Sequence, residues 1–335
     1  MALPLREAEL APVSYTHLTA VDAVLEASVV GSFTRIGPAV RRRLEHWVDP
    51  PAVAGRTMVI TGATSGLGLA AACALSRRGA NLVLVGRDPT RSEQARRTVR
   101  AVSTGGRIDV ELADLGDLEQ VRRLGERLLE RLDRLDVLIN NAGALLRTYT
   151  RAPDGHELTI TVHLLAQFAL TQGLLPLLEA SAPSRVITMT SGGMYTQKFS
   201  LGTLVMSEDD YDGTVAYARA KRAQVVLTHE LQRRFGPKGV DFHVVHPGWA
   251  DTPGVHSGLP TFTKVVGPLF RTPEVGADTA VWLAGQPDGE PEGGQLWLDR
   301  RPRGLYRLPW TYESEAELTA DGEALYEWCK VMTAH

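Results

Sequence analysis

From residue 57 onward the chain alternates short apolar runs with helix-like stretches, and this alternation constrains the fold more than any other feature. The runs cover residues 57–61, 82–85, 108–112, 137–140, 186–190 and 242–246, with a weaker seventh at 295–298. They are rich in Val, Ile and Leu, and continuous apolar runs suit strands buried on both faces. The intervening stretches suit helical crossovers between parallel strands. The pattern predicts an α/β fold, a doubly wound, mostly parallel seven-stranded sheet with helices on both faces. In such sheets ligands bind beyond the carboxyl ends of the strands. Residues that carry chemistry are therefore expected just after the runs.

They occur there. The first run leads into Gly62-Ala63-Thr64-Ser65-Gly66-Leu67-Gly68, whose glycines let the backbone approach a pyrophosphate at a helix N-terminus. No Lys-Ser/Thr pair follows, so this is not a Walker loop. Asn140-Asn141-Ala142-Gly143, Ser191, Tyr217-x-x-x-Lys221 and Pro247-Gly248 come next, in that order. Over residues 55–300 the set resembles a classical short-chain dehydrogenase/reductase. Further strings, such as Ser191-Gly192-Gly193-Met194 and His246-Pro247-Gly248-Trp249-Ala250-Asp251-Thr252-Pro253-Gly254, narrow the likeness to one poorly characterised branch. The resemblance implies a Rossmann-like nucleotide-binding fold and oxidoreductase activity. It also implies cofactor contacts at Gly62, Thr64, Ser65, Gly66, Leu67, Gly68, Asp114, Leu115, Asn140, Ala142, Gly143, Tyr217, Lys221, Pro247, Gly248 and Thr252.

Tyr217 and Lys221 are four residues apart, hence on one helix face. A free tyrosine titrates near 10, too high for a base at neutral pH, and a nearby ammonium is expected to lower that value. Tyr217 can then give a proton to a carbonyl oxygen or take one from an alcohol. Ser191 can orient the reacting oxygen, with Thr190 as its competitor, since successive strand side chains face opposite ways. The 26-residue spacing from Ser191 to Tyr217 leaves an insert with Phe199, Leu201, Leu204, Val205, Met206 and Tyr211, expected to wall a substrate pocket.

After the second run, Gly86 leaves room and Arg87 offers a guanidinium to a 2′-phosphate, which favours NADP over NAD. The resemblance also marks a departure. Aligning Phe168 places His163 where the family has a catalytic asparagine that holds a water in a proton relay to Lys221. Two readings stay open for His163: a relay group, or a buried histidine that holds a helix bulge. His156, His243 and His246 lack a metal-ligand arrangement with nearby acids and are expected to be structural.

Composition narrows the function. Lys and Arg number 36 against 39 Asp and Glu, so no basic field favours nucleic acid. Two cysteines exclude a disulfide framework and fit a reducing, cytoplasmic compartment. No run of 18 apolar residues is present, so no transmembrane span is expected. Residues 1–54 read as an N-terminal helical arm and linker, 55–310 as the catalytic domain and 311–335 as a C-terminal helical tail. The arm either folds back on the domain or contacts a membrane surface or partner. The expected function is an NADP(H)-dependent oxidoreductase acting on a carbonyl or alcohol of a lipophilic small molecule, as a homo-oligomer. The rivals are an extended-branch epimerase, whose glycine spacing differs, and a sensor or scaffold that binds NADP(H) with weak catalysis.

Overall fold

The computed structural model describes residues 15–287 and 289–334. Residues 1–14 of the expected arm lie outside the described residues.

The described residues form one eight-stranded sheet: β1 (Thr57–Thr61), β2 (Asn81–Gly86), β3 (Ile108–Leu112), β4 (Val137–Asn140), β5 (Ser184–Met189), β6 (Val240–Val245), β7 (Leu296–Leu298) and β8 (Arg301–Arg303). The order is β3-β2-β1-β4-β5-β6-β7-β8. Every pairing is parallel except β7 with β8. The expectation of seven strands is thus corrected to eight. Arg301-Pro302-Arg303 has no apolar pattern to announce a strand. It pairs because Asp299 and Arg300 both adopt left-handed backbone, φ 55° and 57°, the geometry of a tight hairpin turn. The charged, proline-bearing strand closes the sheet edge.

Burial on both faces explains the continuous runs. Met58, Ile60, Leu82 and Leu84 face one core, while Val59, Val83 and Val85 face the other. The first core is covered by α4 (Gly66–Ser76) and the helix Pro273–Gly285. The second is covered by α6 (Leu118–Arg131), the helix Leu158–Ala180, the helix Gly213–Phe235 and the helix Glu315–Met332. The helix Leu158–Ala180 is long and apolar enough to cross a membrane, but 72% of that stretch is buried inside the fold. The chain winds outward in both directions from the β1/β4 pair, and the helices that follow β1 and β4 cover opposite faces, the switch point at which sheets of this kind bind ligands.

The arm folds back as α1 (Tyr15–Ala27), α2 (Val29–Phe33) and α3 (Ile36–Leu44). Arg41 of α3 is 1% exposed and pairs with Asp22, Glu26 and Asp299. Val24, Val29, Val30 and Ile36 remain exposed.

Candidate active site

The glycine loop joins β1 to α4. Gly62 has φ +66°, and a Cβ there would stand 2.8 Å from the Ala142 backbone. Gly68 is tighter, because a Cβ would stand 2.4 Å from the Gly62 carbonyl and 2.5 Å from Asn141 Nδ2. Asn141 explains the crowding. Its Nδ2 donates to the carbonyls of Thr61 at 2.9 Å and Gly62 at 3.3 Å, tying the two central loops together. Thr61 Oγ1 accepts the amides of Asn141 and Ala142 at 3.0 and 3.1 Å. Sequence reasoning placed cofactor contacts on both sides of Asn141 and missed its own role as the tie. The Ser65 hydroxyl makes no bond to its own helix, so the N-terminus of α4 keeps donors free for an anion.

Ser191, Tyr217 and Lys221 come together past the end of β5, and Tyr217 touches the Asn-Asn-Ala-Gly turn through His163. Ser191 follows β5, and its hydroxyl hydrogen-bonds the Tyr217 phenol. Thr190 turns the other way and donates to the Lys221 carbonyl at 2.9 Å, which decides between the two hydroxyls. Lys221 is 3% exposed, and its Nζ donates to the Met189 carbonyl at 2.8 Å. Burial lowers its pKa to about 7. The ammonium lies over the Tyr217 ring, 5.5 Å from its centre. The tyrosine pKa is accordingly not lowered as expected. Burial pushes it above its ordinary value, and the Ser191 bond only partly offsets this. Tyr217 is therefore held as the protonated phenol.

His163 lies inside a π-helical turn, Thr161–Leu165, within the helix Leu158–Ala180. The ring is 1% exposed and meets the Tyr217 ring edge-on, centres 5.1 Å apart. Its Nε2 lies 2.7 Å from the Ala144 carbonyl and 3.2 Å from the Ala144 amide. The shorter contact assigns the proton to Nε2, which leaves Nδ1 as a buried acceptor without a partner among the described residues. Burial, then the Lys221 charge, lowers His163 to about 3, against a rise from the Ala144 bond. A Cβ at Gly143 would stand 2.4 Å from the ring, so the Asn-Asn-Ala-Gly turn rests on this histidine. Gln224, three residues after Lys221, donates to the His163 carbonyl at 2.8 Å and to Gln167 Oε1 at 2.8 Å. Sequence reasoning assigned Gln224 no role.

Arg87 is exposed beyond the end of β2, and Asp88 beside it is committed to capping α5 (Pro89–Arg100) through the Arg91 amide at 2.7 Å. Asp114 follows β3 half-buried and accepts the Gly116 amide at 2.9 Å, while the Leu115 side chain enters the core. Asn140 is buried, its side chain donating to Thr171 Oγ1 at 3.1 Å. Thr252 caps the helix Pro253–Gly258 and its methyl lies against Gly66. Pro247 and Gly248 follow β6, where His246 Nδ1 accepts the Gly248 amide at 2.8 Å. The insert differs from expectation. Phe199 and Leu204 pack into the main core, and Tyr211 bonds Thr159 Oγ1 at 2.7 Å. Of the insert residues expected in the wall, Val205 is the large hydrophobic left exposed.

Comparison with known proteins identifies the family. Residues 56–260 match the short chain dehydrogenase family model. Human dehydrogenase/reductase SDR family member 12 is 38% identical over 251 residues, covering 75% of this chain and 78% of the relative. Human retinol dehydrogenase 14 is 37% identical over 287 residues, covering 79% and 84%. Among solved structures, the Pseudomonas aeruginosa RhlG/NADP active-site complex superposes with a TM-score of 0.61 at 26% identity, over 73% of this chain and 96% of that one. With its nucleotide-binding α/β sheet and this degree of likeness, the chain belongs to the short-chain dehydrogenase/reductase family of oxidoreductases.

Proposed function

We propose that the protein interconverts a carbonyl and an alcohol on a lipophilic small molecule, using NADP(H). The observation that carries this reading is the convergence of Ser191, Tyr217 and Lys221 beside a glycine cradle at the carboxyl ends of the central strands. Ser191 and Tyr217 both present hydroxyls where a substrate oxygen would rest. Tyr217, protonated at rest, donates its phenolic proton to that oxygen in reduction and takes it back in oxidation. Lys221 sits over the phenol ring and replenishes the proton. The nicotinamide, when bound, supplies the hydride.

The residues present fit a dinucleotide. The α4 N-terminus and the Gly62–Gly68 backbone suit the pyrophosphate, while Lys221, Pro247, Gly248 and Thr252 border the nicotinamide end. NADP is favoured by exposed Arg87 and by the commitment of Asp88 to its helix, which leaves no acid facing a 2′-phosphate from this turn. The NADP complex of the Pseudomonas aeruginosa protein supports the same choice. A lipophilic substrate is supported by the likeness to a retinol dehydrogenase and by the apolar 255–270 loop with Phe262, Val265 and Val266. Association into homo-oligomers and a cytoplasmic location belong to the same reading, with the exposed arm valines as the place for any peripheral membrane contact.

The test is a screen of aldehydes, ketones and alcohols on the purified protein, followed by absorbance with NADPH and with NADH. Tyr217→Phe should bind NADPH as before and lose roughly a hundred- to ten-thousandfold in turnover. Binding of NADPH without turnover on any member of the panel favours the sensor reading, and near-normal turnover by the variant overturns the assigned chemistry.

A further inference from the structure

We infer that the segment ahead of the family-matched region acts through Phe33 as a positioning element for residues 249–270, and so as a determinant of which substrates the site admits. This rests on the reading of that loop as a substrate wall. Phe33 is 3% exposed. Its ring meets His246 with centres 4.3 Å apart and Trp249 at 5.8 Å. Trp249 in turn meets Phe262 at 5.0 Å, and Phe262 meets Phe270 at 5.5 Å. An unbroken aromatic chain therefore runs from the arm through the loop to its far end.

The backbone makes the same connection twice. The Trp249 amide donates to the Phe33 carbonyl at 2.7 Å, and the Arg35 amide donates to the Leu269 carbonyl at 3.0 Å. The arm thus grips both ends of the loop. Arg271, 1% exposed, reinforces the grip. Its guanidinium donates to the carbonyls of Ser32 at 2.5 Å, Phe33 at 3.0 Å and Thr34 at 3.2 Å, and it pairs with Asp299 at 2.6 Å. Asp299 also receives Arg41 from α3.

Two features of the catalytic segment fit around these groups. A Cβ at Gly248 would stand 2.2 Å from Arg271 Nε, so the Pro247-Gly248 turn is shaped around the anchored arginine. A Cβ at Gly192, next to Ser191, would stand 2.9 Å from the Phe33 ring and 2.8 Å from His246 Nε2. The arm therefore packs against the backbone beside the catalytic serine as well as against the loop. The loop itself is made of short helices with Val265 77% exposed, so its own burial is too small to fix its place, and external ties must do so.

The experiment compares the full chain with Phe33→Ala and Phe33→Leu. Deuterium exchange at the Trp249, Asp251 and Arg271 amides should quicken at least about tenfold in Phe33→Ala, with β1 and β4 unchanged, because removing a buried ring opens the packing locally. NADPH affinity should stay within about twofold. The ratio of KM values for a long-chain and a short-chain aldehyde should shift by about fivefold or more, and Phe33→Leu should restore both readouts in part. Should Phe33→Ala not fold, Phe33→Leu against the wild type carries the same comparison. Unchanged exchange at the three amides overturns the inference, as does loosening spread evenly over the sheet, or a fixed KM ratio despite a loosened loop. A wild type without turnover on any carbonyl overturns the proposed function and the substrate half of this inference, while the exchange result still decides the positioning half.

Discussion

A lysine buried against a carbonyl oxygen has lost most of the hydration that keeps an ammonium charged, and Lys221 is such a residue. Its folded pKa of about 7 lies below the unfolded value near 10.4. Between those values the unfolded chain holds a proton that the folded chain lacks, so in the nucleotide-free protein stability should rise with pH from about 7 to 10. Below about 7 both states are protonated and the slope vanishes. Lys221→Met should be more stable than the wild type at pH 6, lose that advantage by pH 10, and lose turnover at every pH. Urea midpoints across this range check it, and parallel curves for the two proteins would contradict the burial argument. His163 shifts the same way, to about 3, and so stays neutral in the working range. No histidine limb near pH 6.5 is expected in the rate profile from His163. His163→Leu should lower kcat through a loosened Ala144 turn, while its pH profile keeps the wild-type shape. A new or lost limb between pH 5 and 8 would instead mark His163 as a proton carrier. Motif spacing named Ser191, Tyr217 and Lys221 together, and the fold brings the three into contact. The raised tyrosine pKa was not legible, because it depends on where the ammonium comes to rest and how deeply the ring is buried.

At the scale of elements, β1 and β4 were legible because burial on both faces leaves unbroken apolar runs, whereas β3, Ile-Asp-Val-Glu-Leu, alternates as a partly exposed strand does; all three begin and end where the sequence runs do. β8 was hidden because a hairpin made by two left-handed residues needs no apolar signal. The π-helical turn was partly legible: a buried His163 holding a helix bulge was one of the two readings left open, and Thr161–Leu165 forms that bulge. The contact of α4 with the central loops is where one methyl should matter. Gly68→Ala would press a Cβ onto the Gly62 carbonyl and Asn141 Nδ2, and a backbone oxygen cannot swing aside as a flexible side chain can. The helix must retreat, taking its N-terminal amides away from the pyrophosphate position. NADPH affinity should fall at least about tenfold, with roughly 1–3 kcal/mol lost from stability by overpacking. Titration by NADPH fluorescence measures the first and denaturant unfolding the second. Unchanged affinity would show that this loop does not hold the nucleotide.

At the scale of the whole molecule, the family-matched segment does not stand alone. Leu318, Leu325, Tyr326 and Cys329 of the C-terminal helix lie in the same core as β1 and β4. We therefore propose that the described arm, the central sheet and the tail fold as one unit rather than as the three regions that composition suggested. Glu313 offers the sharpest test, because it joins the tail to the insert and to the helix that carries Lys221. It is 2% exposed and pairs with Arg222, 1% exposed, at 2.7 Å. It accepts the Phe199 amide from the insert at 3.0 Å and the Tyr306 hydroxyl at 3.2 Å. Arg222 follows Lys221 on the helix Gly213–Phe235 and also donates to the Leu305 carbonyl at 2.8 Å. Removing one member of a buried ion pair strands the other charge, which typically costs about 3–5 kcal/mol, whereas replacing both by apolar groups is often neutral. Glu313→Leu should therefore lower unfolding stability by about that amount, and the double variant Glu313→Leu/Arg222→Met should recover most of it. If the tail were an appendage, Glu313→Leu would leave the main urea transition in place and detach only a minor step. If it belongs to one unit, the single cooperative transition moves as a whole, and proteolytic susceptibility of the insert around Phe199 rises in step with it.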